Sequence, residues 1–306
     1  MEAALLMILQ LFVALALTPL FDGIARNLRG KIQSRKSSPL LQTYYDIFKL
    51  LKRSRTTPNC VHWFFKFSPY MLFSVTALLV MIMPITYGGL ANAGAISDII
   101  VVVYLVAFFR FIFGITSLDS ANPYAGVGAS RESFIAIYIE PIMIICLIVV
   151  ASLAKTTNLP TIKELVSSGE VGYASASYAL SSVAFLWAMY VETGRKPFDL
   201  AEAEQEVQEG VIGEYSGRDL ALVEMTLMLK QFAMISFFIV VFIPLGFTNP
   251  LLSLISHLIL VGLFYIGAIL IDNFGPRFRI LTSLKFNSAC ILLISLISLS
   301  LYVVGV

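Results

Sequence analysis

Apolar residues in this chain come in blocks, each about as long as a helix must be to cross the ~30 Å hydrocarbon core of a bilayer. Eight blocks fit a transmembrane helix, at residues 3–21, 69–90, 97–117, 133–154, 174–193, 230–248, 251–271 and 287–305. They lift the hydrophobic content to 58%, against the ~45–50% of soluble domains. The expected fold is an all-α integral membrane protein, with residues 1–306 forming one transmembrane domain of about eight helices. The first block, "ALLMILQLFVALALTPLF", has no basic stretch before it and no small-residue cleavage site after it, so it reads as a retained span rather than a signal peptide. The fifth, "ASASYALSSVAFLWAMYVE", is rich in Ala and Ser. Small residues let membrane helices approach closely, which places this span inside the bundle.

Lys and Arg set the orientation. Ten of them lie between Arg26 and Lys66, whereas the loops on the other side offer only Lys155 and Lys163. The positive-inside rule then makes three loops cytoplasmic, at 22–68, 118–132 and 194–229, and turns both termini outward. Within the first loop, "LQTYYDIFKLLKR" sets Tyr44, Ile47, Phe48 and Leu51 at helical spacing beside Lys49, Lys52 and Arg53. That pattern predicts an amphipathic helix lying at the cytoplasmic interface.

Metal chemistry finds no foothold. Cys60, Cys146 and Cys290 are far apart, as are His62 and His257, and no CxxC occurs. Ligand clusters for zinc, iron–sulfur or nickel need several such residues at short spacing. No redox metal and no disulfide framework are expected in this chain.

Charges inside the apolar blocks carry more information. Arg110 and Glu140 lie well within spans, and Glu192 ends one. An ionisable group there costs a few kcal/mol unless it meets a partner or a wet cavity. Arg110 either finds such a partner or snorkels to the cytoplasmic edge, and Glu192 equally fits a residue touching headgroups. Glu140 precedes Pro141, whose missing N–H loosens the helix, and a carboxyl buried beside such an irregularity suits proton exchange.

The acids are most concentrated in "GRKPFDLAEAEQEVQEG", residues 194–210. Pro197 suits a first helical turn, and Asp199 and Glu202 behind it would favour the positive end of the helix dipole. That effect fades within a turn and does not account for Glu206 and Glu209. At 100° per residue, Asp199, Glu202, Glu206 and Glu209 share an arc of about 80°, while Glu204 points elsewhere. Such a stripe is solvated, or faced by basic groups, or shares protons; residue physics leaves all three open. The loop "SLDSANPYAGVGASRES" is dense in turn formers, Asp119, Asn122, Pro123, Gly126 and Gly128. No Gly-Lys-Ser/Thr follows its GxG, so it reads as a compact turn carrying Arg131 and Glu132 rather than a phosphate loop.

"ETGRKPFDLAEAEQEVQEG", with "EYSG" at 214–217, resembles the signature of the membrane subunit at the heel of respiratory complex I (the ND1 family). "QSRKSSPLLQTYYDIFKLLKR" and "NPYAGVGASRES", the latter followed by Glu140, resemble that family's cytoplasmic loops, so the likeness covers most of the chain. Within the superfamily, "SLDSANPYAGVGASRE" and "AEAEQEVQEGVIGEYSG" are more similar to the energy-converting NiFe hydrogenases of formate hydrogenlyase type. Two departures from complex I matter. Glu209 replaces a small residue, and Ser38-Pro39-Leu40 replaces a Gly-Pro-Asn in the loop that lines the quinone chamber, which argues against quinone binding.

The resemblance implies a non-catalytic coupling subunit of an oxidoreductase complex in the cell inner membrane. Its partners would be hydrogenase large and small subunits, an iron–sulfur subunit and an antiporter-like membrane subunit, with the Ni–Fe centre and iron–sulfur clusters on those chains. The lipid bilayer surrounds it and no nucleic acid is expected. Carried over by position, the proton pathway would comprise Glu140, Glu192, Asp199, Glu202, Glu204, Glu206 and Glu214. Docking and loop electrostatics would fall to Arg35, Asp46, Lys49, Arg131, Arg195 and Glu209. The resemblance also raises proton sharing above the solvated stripe. The rival expectations are the quinone-chamber subunit of an NADH–quinone oxidoreductase and a stand-alone ion transporter. The absence of a convincing inverted repeat counts against the last.

Overall fold

The computed structural model describes residues 2–85, 97–200, 210, 212–247 and 249–305. In chain order these form α1 (Glu2–Ile32), α2 (Gln42–Leu51), α3 (Trp63–Ile82), α4 (Ile99–Asp119), α5 (Pro123–Ala154), α6 (Leu159–Ser168), α7 (Ala176–Glu192), a 3₁₀ turn (Ile212–Glu214), α8 (Gly217–Phe242), α9 (Pro250–Phe274), α10 (Ile280–Phe286), a π turn (Asn287–Ile291) and α11 (Leu292–Val304). Apart from one isolated bridge, Asp98 to Asn158, regular structure among the described residues is helical, as expected.

Seven helices among the described residues are long and apolar enough to cross a membrane, counting Ile280–Val304 as one. The remaining block, the fifth, folds as α7, a helix of 17 residues that rises only ~25 Å. It can be shorter because its neighbours cover it. Ser177, Ser181, Ala184 and Ala188 are fully buried, and Ser181 Oγ donates to Ser298 Oγ of α11 at 3.1 Å. Close approach through small side chains is the role read from its composition.

Helices continue beyond the apolar blocks at one end of the bundle, which redraws the expected loops. α1 runs on to Ile32, within the expected 22–68 loop, and α8 begins at Gly217, within the expected 194–229 loop. The 118–132 loop contracts most. Asn122 accepts a hydrogen bond from Tyr124 N and Pro123 takes the first helical position, a favourable start for a helix. α5 therefore begins there, and Gly126 and Gly128, read as turn formers, lie inside it. Hydropathy stops at the first charges, whereas backbone hydrogen bonding does not.

The amphipathic helix forms as α2. Ile47 is buried, Tyr44 donates its hydroxyl to the Ala16 carbonyl, and Tyr45 and Phe48 face outward. Gly23 lets the following segment lie on α1: a Cβ there would stand 2.0 Å from the Leu40 carbonyl oxygen. At the opposite end, Gln10 satisfies carbonyls that the end of α3 leaves without helical partners. Its Nε2 lies 2.6 Å from Val80 O, 3.0 Å from Met81 O and 2.9 Å from Met83 O.

Candidate functional site

Arg110 does not snorkel. Its guanidinium sits between two carboxylates, donating from Nη1 to Glu140 Oε1 of α5 and from Nη2 to Glu192 Oε2 of α7 at 2.5 Å. Lys230 of α8 joins them, with Nζ 3.0 Å from Glu192 Oε1, 4.0 Å from Glu132 Oε1 and 4.8 Å from the Phe109 ring centroid. Four helices thus meet in one ionic cluster. Burial explains why all members are charged partners of one another, since a single ion here would carry an uncompensated desolvation cost. Arg110, Glu192 and Lys230 keep 11%, 5% and 9% of their side chains exposed, whereas Glu140 keeps 38%. With every group ionised, two cations (Arg110, Lys230) face three carboxylates (Glu132, Glu140, Glu192), leaving one negative charge in excess.

Arg110, Glu132, Glu192 and Lys230 form part of the wall of a cavity of about 690 Å³, lined by charged and apolar residues alike, at the end of the bundle where α7 stops. α1 contributes Asp22, Arg26 and Arg29, α9 contributes Asp272, and the segments after α7 and α9 contribute Arg195, Asp199 and Arg277. Most are paired. Arg26 Nε lies 2.7 Å from Asp22 and its Nη1 3.2 Å from Asp46 of α2, while Arg29 bonds Asp272. Arg195 donates to Gln231 at 3.0 Å and stands over the Tyr265 ring at 4.8 Å. Arg277 donates to Asp199 at 2.6 Å. Burial pushes the Asp199 carboxyl up from its ordinary value, against the pull of Arg277 and Lys196, so it takes up a proton more readily than a free aspartate.

Residues 194–200 are not the first turn of a helix, contrary to the reading of Pro197. Phe198 N donates to Arg195 O at 2.8 Å across a turn whose Lys196–Pro197 peptide is cis. Phe198 packs edge-on against Phe278, and Phe278 N donates to Pro197 O at 3.1 Å. The two segments that bracket the chamber are thereby joined.

The four residues of "EYSG" each hold a different neighbour. Glu214 accepts from Asn122 Nδ2 at 2.7 Å. The Tyr215 hydroxyl pairs with Ser68 Oγ at 2.7 Å, and its ring stacks on Phe65 with centroids 4.5 Å apart. Ser216 Oγ accepts from Thr56 N at 2.8 Å. Gly217 adopts φ +56°, and a Cβ on it would stand 2.4 Å from Ser54 O. This motif ties the α2–α3 loop, α3 and the start of α5 to the start of α8.

Of the residues singled out in the sequence, Glu140 and Glu192 share the Arg110 cluster, and Asp199 and Arg195 line the chamber. Glu214 sits in the loop clamp, and Asp46 bonds Arg26 and Gln42 on α2. Arg35 and Lys49 are exposed, and Arg131 is half-buried on α5. Glu202, Glu204, Glu206 and Glu209 lie outside the described residues. Sequence reading missed Lys230 and Arg277, and placed Glu132 in a turn. Lys230 is the first residue of the apolar block 230–248. Among the described residues no group of three or more His, Cys, Asp or Glu could hold a metal ion.

Comparison with known proteins bears on this site. The NADH dehydrogenase family matches the chain over residues 4–303. Hydrogenase-4 component C of Escherichia coli is 39% identical over 280 residues, covering 89% of this chain and 87% of the relative. Formate hydrogenlyase subunit 4 of Escherichia coli is 35% identical over 281 residues, covering 89% and 90%. The H-type subunit of the NADH-quinone oxidoreductase of Bacillus cytotoxicus is 30% identical over 224 residues, covering 70% of this chain and 63% of the relative. In fold, the chain superposes on a chain of the membrane-bound sulfane sulfur reductase, an archaeal respiratory membrane complex, with a TM-score of 0.87 at 24% identity, covering 98% and 99%.

Proposed function

Because the chain belongs to the NADH dehydrogenase family, we propose that it anchors the soluble arm of an energy-converting NiFe hydrogenase of formate hydrogenlyase type and couples its redox reaction to proton movement. The observation that carries this reading is the Arg110–Glu140–Glu192–Lys230 cluster, of which Arg110, Glu192 and Lys230 line the chamber. The identity to hydrogenase-4 component C and formate hydrogenlyase subunit 4 supports the choice of complex.

In this reading the loop face built by EYSG, α2 and the 194–200 turn seats the partner chains. Those partners are hydrogenase large and small subunits and an iron–sulfur subunit, which carry the Ni–Fe centre and clusters, together with an antiporter-like membrane subunit. This chain performs no redox step. Redox events at the docked arm change the field in the chamber, Asp199 in its wall takes up protons there, and the acidic residues that follow in sequence, Glu202, Glu204 and Glu206, belong to the same relay. Lys230 and Arg110 hold Glu192 ionised until a proton arrives, and Glu140, more exposed, passes it onward. Glu214 acts through the loops rather than on the proton, and Glu209, Arg35, Lys49 and Arg131 set the charge of the docking face. The chain lies in the cell inner membrane with the chamber cytoplasmic and both termini outward.

A quinone-chamber role has one observation in its favour, the identity to the NADH-quinone oxidoreductase chain of Bacillus cytotoxicus. Purification in mild detergent separates the readings. Co-purifying hydrogenase subunits with hydrogen evolution are expected. A quinone reductase activity blocked by chamber inhibitors would replace this reading with the second, and a chain that purifies alone and moves ions in liposomes would remove both.

A further inference from the structure

The cations at the end of α2 serve neither the cluster nor the chamber. Buried cations in the chain are answered locally: Arg110 and Lys230 meet carboxylates. Lys163 of α6, only 5% exposed, donates to Pro84 O at 2.8 Å and to Ile85 O at 3.0 Å, just beyond the end of α3. Lys49, Lys52 and Arg53 differ. They are exposed, and among the described residues no carboxylate pairs with them. Asp46, the acid of α2, is already engaged by Arg26 and Gln42. Asp219 stands 3.7 Å from Arg55, the next cation along.

Packing sets the depth of α2. Its beginning lies beside the last apolar turns of α1: Tyr44 donates its hydroxyl to the Ala16 carbonyl, and Thr43 Oγ1 donates at 3.0 Å to Asp22, the first charge after that apolar block. Its far end meets the loop clamp. Arg218 donates to the Leu51 carbonyl at 3.2 Å, and Gly217 abuts Ser54. Tyr215, two residues earlier, stacks on Phe65 in the first turn of α3. α2 thus passes from the edge of the apolar bundle to the level at which a span begins. Its outward side chains follow the same order. Leu41, Tyr45 and Phe48 are 49%, 61% and 59% exposed, and the cations come after them. At 100° per residue, Leu41, Tyr45, Phe48, Lys49 and Lys52 share an arc of about 100°, opposite the buried Thr43 and Ile47.

We propose that this face of α2 binds anionic phospholipid, with Leu41, Tyr45 and Phe48 among the acyl chains and Lys49, Lys52 and Arg53 on the headgroups. A helix that carries apolar rings on one face and cations at its wetter end suits the membrane interface. Charge decides the lipid class. A zwitterionic headgroup answers its own phosphate with its own amine, whereas an anionic one leaves a charge for the three cations to neutralise. Depth decides against a soluble partner, because the exposed rings begin level with the apolar turns of α1. Lys49 lends its charge to the docking face as well, since a charge acts over ~8 Å in physiological salt. The inference stands apart from the coupling role. Bound lipid would hold the helix on which the EYSG clamp closes.

The test places a photoreactive group on that face, as Tyr45→benzoylphenylalanine, in the full chain with the partners that co-purify. The protein is set in nanodiscs of phosphatidylcholine with a minority of phosphatidylglycerol, irradiated, and the adducts on the α2 peptide identified by mass spectrometry. Phosphatidylglycerol adducts are expected at about threefold or more above its share of the disc, from the pull of three cations. Lys49→Gln, Lys52→Gln and Arg53→Gln combined should return the adducts to the disc proportions. Adducts in those proportions on the unmutated cations overturn the proposal. So do adducts to a partner chain or to another segment of this chain, which would make the face a protein contact. Should the triple variant fail to fold, salt decides. Raising it to 1 M shortens the screening length from ~8 Å to ~3 Å, so the enrichment should fall, and an enrichment that ignores salt overturns the proposal.

Discussion

Glu192 is held by two cations from two other helices, and neither pairing could be read along the chain. Arg110 and Glu192 are 82 residues apart, and Arg110 and Glu140 are 30 apart. Sequence showed that these charges needed partners but left Arg110 divided between pairing and snorkelling, because depth and facing direction come only from packing. Glu192→Ala would leave Arg110 and Lys230 buried without their shared carboxylate, and breaking a buried pair in this way costs about 3–5 kcal/mol. The melting temperature of the detergent-solubilised complex should fall accordingly, and an unchanged value would mean the cluster is wet and unstrained. Lys163 makes a prediction of opposite kind. Its folded-state value of about 8 lies below the ordinary lysine value of 10.5, so between those pH values the unfolded chain binds a proton that the folded one does not. Stability therefore rises with pH across that window. At about 1.4 kcal/mol per pH unit, the gain is on the order of 3 kcal/mol, and thermal melts of Lys163→Met at pH 8 and above 10 should lack it.

Helices were legible where apolar runs marked them and illegible where polar ends continued them. α8 carries Arg218, Asp219 and Glu224 through its first turns, so hydropathy began the span at Lys230 and hid that residue's depth. The "EYSG" motif was visible, but its work was not, since each residue bonds a segment remote in sequence. Gly217→Ala tests that work. A left-handed backbone costs a non-glycine about 1–2 kcal/mol, and the added Cβ would also strike Ser54 O. Loss of melting temperature and faster protease cleavage of the α2–α3 loop are expected. Gly126→Ala is the control: its Cβ meets nothing within 4 Å inside α5, so it should be neutral or gain up to ~1 kcal/mol.

At the scale of the whole molecule, the bundle is polarised. One end carries the chamber and the ionic cluster, and the other carries the sealed end of α3 with Lys163. The proposal makes the chamber end cytoplasmic, because the basic loops gather at that end and the positive-inside rule turns them inward. The chamber itself could not be foreseen, because its walls come from α1, α4, α5, α7, α8, α9 and the segments that connect them at once. Proton coupling through the cluster at the chamber end is the central proposal. Its most direct test is lumenal pH in liposomes holding the intact complex during hydrogen evolution, wild type against Glu192→Gln, a substitution of nearly the same shape. Wild type is expected to build a proton gradient, and Glu192→Gln to evolve hydrogen with at least tenfold less proton movement. A variant that assembles and builds the wild-type gradient would contradict the proposal.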